Sequence, residues 1–373
     1  MNARLLVTSA GSGASGNLVR SLRAGNAALV IVGCHDDQFI LKNSTADRNY
    51  LVPPLSHPTW ARSLCRVVDT ERIDLVIPTS DPDVAALSRV RGRLAGRVFL
   101  PRAATVRRCG DKYGLTEWLR ARGVPAPATY RVTDLRRLER IFERLGNPSR
   151  AWCRIREGAG SRGAAPVGGP EQARSWIKYW RDMRGVPVSA FTLSEYLPGR
   201  DFGCQSVWKD GRLALVKTYE RLSYLGSASQ PSEVSAVGAL TKTVSEPGVV
   251  DISVRAIRAV DPKASGVFAV DLKEDSGRVP RVTEINAGRF TSSTNLLDLT
   301  GKHNMTAVYL RLARGDAVDL REEYEGTEYH YMLRDIDAVP RVFHADEFFD
   351  GVKDARGRGE RSAATDTERS LTP

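Results

Sequence analysis

Lysine is scarce in this 373-residue chain, making up only ten of its 55 basic residues. Against 44 acidic residues the formal charge is +11, so the excess is carried almost entirely by arginine. These arginines are scattered along helical segments and alternate with acids, instead of gathering into the patch or stripe that a nucleic-acid binder presents. The basicity therefore points to small anionic molecules. Cysteine is also sparse. Cys34, Cys65, Cys109, Cys153 and Cys204 are odd in number, widely spaced and never paired as C-x-x-C, which argues against both a disulfide framework and a zinc site. Long apolar runs are missing as well: the longest, Ala27 to Cys34, falls far short of the ~20 residues of a membrane span. No basic region followed by an apolar core opens the chain. The expectation is a cytoplasmic protein without internal repeats, with no membrane partner and none of nucleic acid. A single core stops growing at ~250–300 residues, so two or three packed units are expected.

What the sequence does hold centres on residues 266–290, GVFAVDLKEDSGRVPRVTEINAGRF. The apolar run Val267–Val270 and the stretch Arg281–Ile285 flank the turn-prone Glu274-Asp275-Ser276-Gly277-Arg278, predicting an antiparallel hairpin. Pro280 falls at the entry of the second arm, where a missing amide is tolerated. Alternation places Ala269, Asp271 and Lys273 on one side of the first arm, and Val282, Glu284 and Asn286 on one side of the second. Asp271, Glu284 and Asn286 can then bring three hard oxygen donors together, a set suited to Mg²⁺. Arg289 adds a fork of donors for phosphate oxygens.

Upstream, Leu5 to Ser9 reads as a buried strand, followed by Gly11, Gly13 and Gly16 in G-x-G-x-x-G spacing and a helix, Leu18 to Arg23. A strand over Ala28 to Val32 then leads to Asp36 and Asp37. That order invites a dinucleotide reading, although the glycines equally serve to pack a first strand against its helix. Strands are also predicted at Ile73–Ile77, before the polar loop Thr79-Ser80-Asp81, and at Val98–Leu100. Residues 1 to about 105 thus form a small α/β unit with a parallel sheet.

Glycine and proline punctuation predicts a helix from Cys109 through Arg122 and another over Leu135–Leu145. A strand over Ala151–Ile155 precedes the glycine-rich loop Gly158 to Gly163, whose amides could wrap phosphate and which could act as a lid. Helix 171–184 leads to a strand at Ala190–Tyr196. Strands at Cys204–Val207 and Leu213–Thr218 flank an Asp210-Gly211 turn, and helices are expected over 249–260 and 305–314. Residues beyond about 351 are expected to form a disordered tail.

In this order the residues resemble, over nearly 1–320, the ATP-grasp superfamily, and most closely the branch of the carbamoyl-phosphate synthetase large subunit and its carboxylate–amine ligase relatives. Asp111-Lys112, followed by a helix and Gly-Val-Pro-x-Pro, looks like the segment opening the grasp fold, whose lysine reaches ATP phosphate. Arg154 takes the place where many members have a phosphate-binding lysine and this branch has arginine. Gly158 to Gly163, with Ser161, Arg162 and Gly163, looks like the loop that closes over the triphosphate. Glu195-Tyr196-Leu197 resembles the hinge strand that reads the adenine edge, and Asp201 falls where the family places an acid on the ribose hydroxyls. Asp271, Glu284 and Asn286 match the two-magnesium site.

The resemblance implies an α/β (α+β) architecture. A Rossmann-like pre-ATP-grasp domain would span 1–107, and the ATP-grasp domain 108–345 with a small lid lobe at about 127–195. It implies ATP and Mg²⁺ as cofactors, with Mn²⁺ as an alternative ion. The reaction would activate a carboxylate as an acyl phosphate and join it to an amine. Bicarbonate or a thiol acceptor, and more remotely an NAD-linked oxidoreductase, are the rival readings. Carboxylate and amine substrates are the expected partners, with a homodimer as one expected assembly.

Two departures stand out. The family's Pro-Arg after the metal asparagine is here Ala287-Gly288-Arg289, which shifts the arginine one place and leaves its target open among acyl phosphate, γ-phosphate and substrate carboxylate. Position 154 carries arginine, which offers phosphate a planar fork. No side chain stands out as a general base; His303 reads as a helix-entry residue. Arg221, Ser229 and Ser232 lie in a stretch that could shape an acceptor pocket.

Overall fold

The structure, a computed structural model, describes residues 3–158, 161–227, 235, 237–336, 338–348 and 350. The expected tail, Ser229, Ser232 and positions 159 and 160 of the glycine loop lie outside the described residues.

The first unit contains β1 (Arg4–Thr8), α1 (Gly13–Gly25), β2 (Val30–His35), β3 (Arg48–Leu51), α2 (Trp60–Thr70), β4 (Leu75–Ile77), α3 (Asp81–Val90) and α4 (Ala103–Gly110). Its four strands are parallel in the order β3-β2-β1-β4. The apolar runs of β1, β2 and β4 suit strands covered on both faces. Alternation along β1 divides the two cores: Leu5 and Val7 pack with α1, whereas Leu6 packs with α2 and α3. At the glycine motif, Gly11 has φ +89°, and a Cβ there would lie 1.9 Å from the Ile40 carbonyl oxygen. The first glycine thus lets the Ile40–Asn43 turn close over the loop, which favours the packing role over a pyrophosphate cradle.

The second unit begins after α5 (Lys112–Arg120) and comprises β5 (Thr129–Arg131), α6 (Leu138–Arg144), β6 (Ala151–Ile155), β7 (Ala165–Val167), α7 (Pro170–Arg184) and β8 (Phe191–Glu195). Its antiparallel sheet has the order β5-β8-β6-β7. Two helices cover one core built on Ile141, Phe142, Ile177 and Phe191.

The third unit carries β9 (Asp201–Lys209), β10 (Arg212–Tyr224), β11 (Gly238–Thr243), α8 (Pro247–Val260), β12 (Gly266–Glu274), β13 (Pro280–Ala287), α9 (Thr294–Thr300), α10 (Met305–Ala313), β14 (His330–Leu333) and β15 (Arg341–His344). These strands form a seven-stranded antiparallel sheet, β13-β12-β9-β10-β11-β14-β15, with α8 packed on its core.

Three expectations need correction, and several strands, β3 among them, were not expected. Val98-Phe99-Leu100 is not a strand: its side chains pack into the core, and the Phe99 carbonyl accepts from Tyr309 Oη at 2.7 Å. The helix expected from Cys109 is two helices, α4 and α5, divided at Asp111, whose carboxylate caps α5 by accepting from Gly114 N at 3.1 Å. β3 was not anticipated, because an edge strand with exposed polar residues carries no apolar alternation. Finally, Val282 does not share a face with Glu284. The register passes from Asp271–Glu284 to Leu272–Val282, so Thr283 is an extra, bulged residue and Val282 turns into the core beside Ile285.

Candidate functional site

A cleft of about 580 Å³ opens between the second and third units and is also lined by Asp81 of the first. Its size suits a nucleotide-sized ligand. The cleft gathers Lys112, Arg154, Ser161, Arg162, Glu195, Tyr196, Leu197, Asp201, Asp271, Glu284, Asn286 and Arg289. Of the expected site residues only Gly163 stays outside this lining: it has φ +68°, and its Cα faces the Ile155 side chain.

The hairpin supplies the acidic wall. Asp271 and Glu284 are direct cross-strand partners, and Asn286 Nδ2 donates to Asp271 Oδ2 at 3.1 Å. The bulge makes this possible, since it turns Glu284 to the cleft while Val282 and Ile285 both stay in the core. Among the described residues no three His, Cys, Asp or Glu side chains are grouped to hold a metal. The candidate ion site is therefore two carboxylates and one amide, a hard-oxygen set that fits Mg²⁺.

Each of these three groups is met by a cation of the chain. Arg221 bonds Asp271, Lys112 Nζ lies 3.1 Å from Glu284 Oε1, and Arg289 Nη2 donates to Asn286 Oδ1 at 2.6 Å. The donor set thus already attracts positive charge where an ion would sit.

Arg221 also bonds Asp201 at 2.6 Å, and Tyr224 Oη donates to the same carboxylate. Burial alone would lower the Arg221 pKa, but Asp271 and then Tyr219 and Asp201 hold it well above the ordinary value. The acid expected on a ribose is thus engaged by Arg221, Tyr224 and, at 3.7 Å, Lys273.

On the opposite wall, Arg154 is 8% exposed and donates from Nη2 to the Thr283 carbonyl at 3.1 Å. Its Nε is buried without a partner. Burial lowers its pKa, with Glu284 opposing that effect. Lys112 Nζ reaches the start of the glycine loop, donating to Gly158 O at 2.6 Å. Glu195 ends β8 with its amide bonded to Ala128 O at 2.9 Å.

One participant escaped the sequence reading. Asp81, at the first turn of α3, takes two bonds from Arg289, one of them 3.1 Å from Nη2 to Oδ2. Burial works against the Arg289 charge, yet the Asp81 bond raises its pKa. The available signal was the polar loop at the carboxyl end of a parallel strand, where such sheets place ligands. Arg221, expected to help shape an acceptor pocket, lines the cleft and bridges two acids. His303 is absent from the cleft, and its carbonyl accepts from the buried Lys217.

The three sheets and this cleft define the ATP-grasp fold behind a Rossmann-like unit. No family model matches the sequence. The structure resembles that of an L-amino acid ligase from Bacillus licheniformis, with TM-score 0.67 and 13% identity over 89% of this chain and 79% of that one. It also resembles a carboxyaminoimidazole ribonucleotide synthase from Aspergillus clavatus complexed with ATP, with TM-score 0.66 and 17% identity over 89% and 82% of the two chains. A third similar structure is the biotin carboxylase domain dimer of a Hydrogenobacter thermophilus 2-oxoglutarate carboxylase, in complex with MgADP, ADP and bicarbonate. There the TM-score is 0.66 at 14% identity, covering 89% of this chain and 74% of that one.

Proposed function

We propose that this protein is an ATP-dependent ligase that activates a carboxylate as an acyl phosphate and joins it to an amine, releasing ADP and phosphate. The observation that carries the reading is the pairing of Asp271 with Glu284, and of Asn286 with Asp271, on a cleft wall that faces the buried cation Arg154. In this reading the units divide at 107/108, and residues about 127–195 form the lid lobe.

Glu195, Tyr196 and Leu197 would bind the adenine edge and Asp201 the ribose. Lys112, Arg154 and the loop through Ser161, Arg162 and Gly163 would bind the phosphates, where arginine supplies a bidentate fork. Asp271, Glu284 and Asn286 would hold Mg²⁺, with Mn²⁺ as a substitute. A bound Mg²⁺ neutralises charge that develops on the transferring phosphoryl group. Arg289, oriented by Asp81, would hold the carboxylate oxygen that accepts the phosphoryl group and later the oxyanion formed when the amine attacks. Closure of the lid would exclude water from the acyl phosphate.

The similar solved structures support this reaction class, since one is an L-amino acid ligase and others carry ATP, or MgADP with bicarbonate. ADP release against a panel of carboxylates and amines tests it. Glu284→Ala should abolish release while the far-UV spectrum and Tm stay those of the wild type. Full turnover in that variant would overturn the metal assignment.

A further inference from the structure

Most buried or half-buried arginines of this protein face an acid; Arg20 on α1 and Arg334 just after β14 are among those that do not. Neither has a carboxylate within ion-pair distance among the described residues. Arg334 is 8% exposed, donates from Nη1 to the Gly238 carbonyl at 3.0 Å and from Nη2 to the Ser292 carbonyl. Arg20 donates from Nη2 to Asn17 Oδ1 at 2.7 Å, and its buried Nε has no partner. The two are linked: Asn17 Nδ2 donates to the same Ser292 carbonyl at 2.5 Å that Arg334 uses.

One chain of hydrogen bonds therefore runs Arg20–Asn17–Ser292–Arg334, and Ser292 lies three residues beyond Arg289. Asn295, in the first turn of α9, is fully buried with neither amide atom partnered, and α9 packs on both α1 and β14. Burial pushes the Arg334 pKa down to about 10, opposed by Tyr219 and reinforced by Arg20 and Arg221. Two guanidinium groups that repel each other, with the buried Arg20 Nε donor unpartnered, leave positive charge that a bound anion would offset.

We propose that Arg20 and Arg334 form a subsite for an anionic group, a carboxylate or a phosphate, carried by the acceptor substrate of the ligase. The proposal rests on the ligase reading for the identity of the ligand, but the subsite can be tested without turnover. The pair lies outside the lining of the nucleotide cleft, joined to the segment that carries Arg289 through the Ser292 carbonyl, so in this proposal it would hold one end of the acceptor. The subsite also gives a role to the glycine-spaced helix α1, on which Gly13, Gly16, Asn17 and Arg20 fall three or four residues apart along one helical face.

The test is titration of inorganic phosphate, and separately of acetate, into the full chain by calorimetry and thermal shift. The protein is first saturated with Mg²⁺ and the β,γ-imido analogue of ATP, so that the triphosphate positions are filled. The expected result is saturable binding of one anion per chain, at least tenfold weaker in both Arg20→Met and Arg334→Met and retained in Arg334→Lys. The tighter of the two probes identifies the anion as phosphate or carboxylate. Absent saturable binding to the wild type, or wild-type affinity in Arg20→Met, overturns the subsite. Arg20 is only partly buried, so that variant decides the matter even if Arg334→Met does not fold. Should the nucleotide analogue fail to bind, the ligase reading falls, and the same titration of the free protein still decides the subsite.

Discussion

On the hairpin wall of the cleft every acid is already matched by a cation of the chain, whereas on the lid wall Arg154 is buried with no carboxylate bonded to it among the described residues. The first arrangement is self-neutralised. Asp271 holds Arg221, and Glu284 holds Lys112, so a divalent ion can enter only as these cations withdraw. The second arrangement has no bonded carboxylate, and in the proposed reading it is the wall that would meet phosphate; burial lowers the Arg154 pKa, against the opposing charge of Glu284. In the proposed reading one wall would have to rearrange to bind its ion, whereas the other would be built in advance.

The largest effect expected from breaking this contrast lies on the hairpin. Glu284→Ala should lower ADP release by at least about 10²-fold, as loss of a charge-stabilising group does. Next comes the lid wall: Arg154→Met should cost about 10²-fold in kcat/KM for ATP, equivalent to about 2.7 kcal/mol, and Arg154→Lys should recover most of it. Because the methionine also removes a buried charge, its Tm should equal or exceed that of the wild type; a large drop in Tm would make Arg154 a structural residue. Arg221→Met sharpens the comparison from the other side. It removes the cation that occupies Asp271, so the Mg²⁺ concentration for half-maximal nucleotide binding should fall about tenfold, a gain of about 1.4 kcal/mol. An unchanged or higher requirement would mean that Arg221 does not compete with the ion.

The smallest effect on activity lies outside the cleft, on helix α9 against the large sheet. Asp298 is buried beside Lys217, and burial raises its pKa from 3.8 to about 6, although Lys217 and two backbone amides oppose the shift. A carboxyl raised on folding stabilises the protein fully below its unfolded pKa and loses that contribution as pH climbs through the folded value. Denaturant melts at pH 4 and pH 7 should therefore show the wild type losing on the order of 3 kcal/mol more than Asp298→Asn does. Equal losses would remove this group from the pH dependence.

Much of this was legible in sequence, and the misses share physical causes. The hairpin, helix α7 and strand β6 announce themselves through local signals: alternation, a Gly-Pro entry, an apolar run between breakers. Cleft residues on those elements could be placed by counting along them. Counting failed at Val282, because a bulge changes parity without leaving a mark in composition. It failed at Asp81 too, where the partner, Arg289, is 208 positions away and the contact depends on how two units dock. The helix boundary at Asp111 was missed because α4 passes straight into the cap of α5, with no loop between the two helices to mark it.

The single bulged residue at Thr283 also dictates which changes of chain length the hairpin tolerates. The tip between Glu274 and Pro280 can change length without shifting either strand's phase, at the expense of the Asp275 bonds to Gly277 N, Val279 N and Arg281. A one-residue insertion or deletion between Val282 and Asn286 would instead swap the wetted and oily edges of the arm, burying carboxylate and exposing valine. Natural or laboratory variants that retain activity should therefore differ in length at the tip and never along that short interval.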